Sequence, residues 1–122
     1  MMRSLPPAYT ALVIGASGAL GEAFVQQLRA DPRCGVVLGF SRGSQPGLRL
    51  EDEASIAACA QWLGDQGPLH LVIDATGALT LDGRGPEKRL DELDAEHLSR
   101  AMLVNAIGPA LVLKHMSPRL AL

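Results

Sequence analysis

At 122 residues, with 48% apolar and 20% charged side chains, the chain suits one domain with a buried core and is too apolar for disorder. A formal charge of −2 and an aromatic content of only 3% argue against nucleic acid or an anionic membrane as a partner. No apolar run reaches the ~20 residues needed to span a bilayer, and the start, Met1 to Pro7, has no long apolar secretory core. A cytoplasmic location is therefore expected. Cys34, Cys59, His70, His97 and His115 show no metal-ligand spacing, so reduced core thiols and ordinary histidines are expected, and no metal.

Residues 1–9 read as a tail, with Pro6-Pro7 delaying regular structure, and 10–122 as the domain. Thr10 to Ile14 is a continuous apolar run ending in glycine, the pattern of a strand covered on both faces. A helix is predicted from Glu22 to Ala30, with Leu20, Phe24 and Leu28 on its apolar face and Asp31-Pro32 closing it. Val36 to Phe40 reads as a second strand. The loop Ser41 to Gly47 follows, then a short third strand, Leu48 to Leu50. Asp52 is placed to cap a helix running to Leu63. Leu69 to Ile73 is the fourth predicted strand, and it leads into Asp74-Ala75-Thr76-Gly77.

A polar connection, Ala78 to Leu93, precedes a long helix capped by Asp94 and running from Ala95 to Met116. Pro109 lies inside this helix and predicts a break near Asn105 to Gly108. Alternating strands and helices imply an α/β fold with a parallel sheet, half of a doubly wound architecture.

The first strand ends in Gly15-Ala16-Ser17-Gly18-Ala19-Leu20-Gly21, with glycine at every third position and a helix immediately after. Strand, glycine turn and helix together form the phosphate cradle of a dinucleotide site. Glycine lets a pyrophosphate approach the main chain, and the helix start offers unpaired N–H groups and a positive dipole end.

Taken with Ser41-Arg42, Ala75-Thr76-Gly77 and Val104-Asn105-Ala106-Ile107-Gly108, this loop resembles the short-chain dehydrogenase/reductase family. The likeness is to the small bacterial members whose loop reads Gly-Ala-Ser-Gly, and it runs from about Ala11 to Leu120. It implies a Rossmann-type parallel sheet with flanking helices, four strands in the order 3-2-1-4, ending before a fifth strand. It also implies that Gly15, Ser17, Gly18, Leu20 and Gly21 hold the pyrophosphate and adjoining ribose, and that Ala75, Thr76 and Gly77 line the ribose. An Asp or Glu usually meets a ribose lacking a 2′-phosphate, about 20 residues after the glycines. Here Gly39, Phe40, Ser41 and Arg42 offer none, so NADP(H) is expected over NAD(H), with Arg42 pairing to the 2′-phosphate.

Two positions depart from the family pattern. The aspartate that holds adenine in many members is replaced by Arg49, leaving a backbone contact beside Leu50. Asp74 stands where the family has asparagine, so a bond donated by an amide is lost or rerouted. Asn105 matches the asparagine that supports the active-site lysine; its alternative role is bonding within the break before Pro109.

The family's general acid/base tyrosine and its lysine four residues on are not found. Tyr9 is the one tyrosine, Val13 follows at that distance, and Lys88 and Lys114 stand elsewhere. The expectation is thus the NAD(P)(H)-binding part of an oxidoreductase acting on a small-molecule carbonyl or alcohol, inactive alone and cut short as a fragment. The alternatives are a non-catalytic dinucleotide-binding or sensing module, and a structural domain that has lost its ligand. An apolar fourth strand left at the sheet edge, and the apolar surface of the last helix, imply self-association.

Overall fold

A central strand, β1 (Tyr9–Ile14), runs parallel to β2 (Cys34–Phe40) on one side and β3 (Leu71–Asp74) on the other. The computed structural model describes residues 2–121. Within them the sheet has three strands in the order β2-β1-β3, with Leu12 level with both Leu38 and Val72. Both faces of β1 are covered, which is why its sequence does not alternate. Leu12 and Ile14 enter a core with Phe40, Ile56, Leu63, Val112 and Met116. Tyr9, Ala11 and Val13 face the other way, onto Leu28.

Helix α1 (Ala19–Ala30) covers that second face. It starts three residues before the predicted Glu22, because Gly18 takes the extended N-cap conformation. Leu20 falls outside its apolar face and is exposed, leaving Phe24 and Leu28 to pack. Helix α2 (Glu53–Leu63) lies on the first face and is capped as expected, the Asp52 side chain accepting from Ala54 N–H at 3.1 Å.

The third predicted strand does not form, so the expected order 3-2-1-4 is corrected to three strands, β3 being the fourth of the prediction. Leu48 and Leu50 are buried and Arg49 is exposed, the alternation of a strand without its ladder. The backbone bonds go elsewhere. Leu48 N–H donates to Ser41 O at 2.9 Å, and the Ser55 hydroxyl engages both Arg49 N–H (2.9 Å) and Arg49 O (3.1 Å). With both backbone groups of Arg49 taken by α2's first turn, the segment forms no ladder with β2.

The long last helix is broken where proline predicted. Helix α3 (Ala95–Met102), capped by Asp94, passes through a π-helical turn at Leu103–Ile107 into α4 (Gly108–Met116). Pro109 has no N–H for the carbonyl of Asn105, and the wider turn absorbs the mismatch. At this turn the backbone comes close to the 48–50 segment: a Cβ on Gly108 would lie 2.7 Å from Leu50 Cβ.

Two further corrections concern the ends. The strand predicted from Leu69 begins at Leu71; Leu69 instead pairs with Leu120 in a parallel bridge, through bonds of 2.9 and 2.7 Å. Strand β1 begins at Tyr9, one residue before the predicted Thr10, and the described part of the tail before it is held by hydrogen bonds. Asp31 Oδ2 accepts from Met2 N–H at 3.1 Å and from the Tyr9 hydroxyl at 2.8 Å, while Arg33 Nη2 donates to Leu5 O at 2.7 Å. Cys59 is buried and its thiol pushed up to about 11 by burial; Cys34 is only half-buried, and both are free.

Candidate functional site

The carboxyl ends of the three strands open into a cleft of about 430 Å³. Its floor is the turn after β1. Gly15 N–H and Ala16 N–H both donate to Phe40 O, at 2.8 and 3.1 Å, and Gly18 N–H donates to Gly15 O at 3.2 Å. Gly15 has φ +83°, and a Cβ there would stand 2.9 Å from Ala75 O. Gly21 is buried behind the turn, where a Cβ would overlap Gly15 O at 1.9 Å. Only glycine permits α1 to begin directly on the loop.

Gly18, the N-cap of α1, lines the cleft, and no side chain caps the helix start. Such a helix start suits an anion. A Cβ added to Gly18, at the N-cap, would make only ordinary contact, 3.6 Å from Gly15 O.

One wall carries Ala75, Thr76, Gly77 and Ala78. It continues β3 through Ala75 N–H, which donates to Ile14 O at 2.9 Å. Asp74, in the place where asparagine was expected, turns this wall by accepting from Thr76 N–H at 2.9 Å and from the Thr76 hydroxyl. Asn105 reaches across from the π-turn and exchanges two bonds with Ala78. The opposite wall is Phe40, Ser41, Arg42, Leu48, Leu50 and Glu51. Arg42 Nη1 lies 3.1 Å from Glu51 Oε1.

The fold thus gathers nine of the anticipated residues on one surface: Gly15, Ser17, Gly18, Ser41, Arg42, Leu50, Ala75, Thr76 and Gly77. Three stand outside its lining. The Leu20 side chain faces solvent, Gly21 lies behind the turn, and Asn105 acts through Ala78. The sequence reading missed Glu51, and also Asp82 and Arg100, which pair at 3.4 Å at the cleft edge. A signal for the latter existed. Asp82-Gly83 is a tight-turn dipeptide, and both residues take positive φ between the bridged Leu81 and Arg84. Among the described residues no group of His, Cys, Asp and Glu could hold a metal, and no helix is long and apolar enough to cross a membrane.

No protein-family model and no curated protein matches the sequence. Solved structures do match. An NADPH-bound carbonyl reductase from chicken fatty liver superimposes with TM-score 0.78 at 23% identity, over 93% of this chain and 49% of that one. The carbonyl reductase Sniffer of Caenorhabditis elegans gives TM-score 0.76 at 19% identity, covering 94% and 54%. A Serratia marcescens short-chain dehydrogenase/reductase variant gives 0.74 at 21% identity, covering 93% and 52%. The chain has the Rossmann-type fold of the short-chain dehydrogenases/reductases, and it spans about half the length of the solved structures it matches.

Proposed function

We propose that this chain binds a nicotinamide dinucleotide, as the cofactor-binding part of a short-chain dehydrogenase/reductase-type oxidoreductase. One observation carries the reading above the others. The central strand ends in a glycine turn that leaves the first turn of α1 uncapped, directly beside the Ala75–Gly77 wall. When bound, the dinucleotide supplies hydride exchange with a carbonyl or alcohol of a small molecule. The chain's own residues bind and orient it. Gly15 to Gly18 and the α1 N–H groups meet the pyrophosphate, Ala75 to Gly77 face the ribose, and Arg42 faces a 2′-phosphate, favouring NADP(H) over NAD(H). The NADPH held by the chicken carbonyl reductase supports the class of ligand.

The one tyrosine of the chain does not line the cleft. Tyr9 is fully buried at the amino end of β1, its hydroxyl donated to Asp31. Among the described residues no tyrosine, lysine or histidine lines the cleft. The second reading, a non-catalytic dinucleotide-binding or sensing module, uses the same site. Self-association belongs to either reading, through Leu98, Met102, Ile107 and Leu113, all exposed along the helices that follow the cleft wall.

Trp62 provides the test. Its ring stands edge-on to Phe40 at 5.7 Å, and Phe40 lines the cleft. Titrating the chain with NADPH and with NADH is expected to give saturable quenching of Trp62 fluorescence. A chain that melts cooperatively yet responds to neither would overturn the binding reading.

A further inference from the structure

The adenosine end of the cleft holds two groups with opposite preferences. An acid at this end of a dinucleotide site accepts a hydrogen bond from a free 2′-hydroxyl, whereas a guanidinium pairs with a 2′-phosphate. Here Arg42 and Glu51 both line the cleft, and each is the other's partner at 3.1 Å. Arg100, the other cation of the lining, is engaged by Asp82.

The two partners are unequal. The Arg42 side chain is 65% exposed and that of Glu51 only 17%. Glu51 follows Leu50, which packs beneath the close-fitting Gly108, and Arg49, whose backbone is held by Ser55. The carboxylate is therefore built into the wall, and the guanidinium reaches it from the solvent side.

We propose that Glu51 sets the preference between NADP(H) and NAD(H) by competing with the 2′-phosphate for Arg42. The proposal rests on the dinucleotide reading above. A 2′-phosphate must draw Arg42 away from Glu51, leaving a largely buried carboxylate next to an added negative group. A 2′-hydroxyl requires no separation of the pair: it donates to Glu51 and shares that carboxylate with Arg42. The pair thereby holds down the NADP(H) preference that Arg42 alone would give, and it keeps NAD(H) a usable ligand of the same cleft.

The experiment is a set of Trp62 fluorescence titrations of the full chain with NADPH and NADH, comparing wild type, Glu51→Gln and Arg42→Gln, with thermal melts of each. Glu51→Gln is expected to raise the ratio of NADPH to NADH affinity roughly 10-fold, the worth of one charge-assisted hydrogen bond. Arg42→Gln is expected to weaken NADPH and tighten NADH, since Glu51 is then free for the 2′-hydroxyl. A Glu51→Gln ratio within about twofold of wild type, with both cofactors still bound, overturns the role of Glu51 and leaves the dinucleotide reading intact. Failure of the folded wild type to bind either cofactor overturns both. If the melts show Glu51→Gln unfolded, Arg42→Gln decides: unchanged NADH affinity overturns the proposal, and tighter NADH supports it.

Discussion

Asn105 and Ala78 exchange two hydrogen bonds across the cleft wall: Oδ1 accepts from the Ala78 N–H at 2.7 Å, and Nδ2 donates to the Ala78 carbonyl at 2.9 Å. An amide is the side chain that can do both with one planar group. Replacing it with alanine leaves two partly wetted backbone groups without a protein partner. Asn105→Ala is expected to cost about 1 kcal/mol and roughly 4 °C in Tm. Asn105→Asp should cost more at neutral pH, because an ionised carboxylate cannot donate and faces the Ala78 carbonyl. Its deficit should shrink as acid protonates it. Thermal melts of both variants at neutral and acid pH check the order.

The uncapped start of α1 separates stability from binding. Gly18 sits at the N-cap with φ −74° and ψ 165°, a conformation that aspartate adopts readily. Gly18→Asp should therefore cap the helix and hold Tm level or raise it by a degree or two, worth a few tenths of a kcal/mol. The same carboxylate would occupy the proposed pyrophosphate position. Dinucleotide affinity is expected to fall at least 10-fold, whichever cofactor is used. A Gly18→Asp chain that keeps wild-type affinity would show that the pyrophosphate does not sit at this helix start.

The amino ends of the strands carry a titratable latch far from the cleft. Arg33 N–H, Met2 N–H and the Tyr9 hydroxyl all donate to the Asp31 carboxylate and hold its pKa below the usual carboxylate value. A depressed acid stabilises the fold above its unfolded pKa, and that contribution is lost as pH falls through the folded value. Asp31→Asn should therefore flatten the acid limb of Tm against pH while lowering Tm near neutrality. Tyr9 responds at the other extreme. Burial, then its bond to Asp31, raise the phenol well above its ordinary 10.0. Its stabilising effect is present below that ordinary value and lost at higher pH. As Tyr9 is the sole tyrosine, tyrosinate absorbance should appear in alkaline titration only together with unfolding.

Much of the topology was legible because it rests on local rules. The unbroken apolar run of β1, the aspartate caps of α2 and α3, and the break before Pro109 follow from burial, capping and a missing N–H. The absent strand at Leu48–Leu50 was not legible. Its alternation is real, but Ser55 claims the Arg49 backbone from six residues away, a bond that exists only after α2 is in place. Leu20 misled for a related reason. Its spacing from Phe24 suits an apolar face, yet the helix begins too close to the glycine turn for that face to reach the core. Glu51 went unassigned because its partner is on a different segment; only folding of the 41–50 loop brings Arg42 to it.

The exposed side chains of α3, the π-turn and α4 give a concentration-dependent expectation. Met102 and Leu113 are 57% and 68% exposed, with Leu98 and Ile107 nearby in sequence at 40% and 47%. The chain is expected to self-associate as concentration rises, and Met102→Glu with Leu113→Glu should shift it toward monomer without lowering Tm. Light scattering across a dilution series reads the outcome. A wild-type chain that stays monomeric throughout removes this surface from the account.

The missing third strand has a consequence for how cofactor choice could change over time. Between Ser41 and Pro46 the cleft wall is a loop bonded to itself: the Ser44 hydroxyl lies 2.9 Å from both the N and the carbonyl O of Ser41 and 2.8 Å from Pro46 O. At its tip, a Cβ added to Gly43 would meet nothing within 4 Å. No sheet hydrogen bond has to be rewritten if this loop is lengthened, shortened or replaced. On the proposed dinucleotide reading, selectivity would rest on the loop up to Gly47 and the pyrophosphate on the core turn, so the loop tip could be exchanged while Leu48 and Leu50 keep their place in the core.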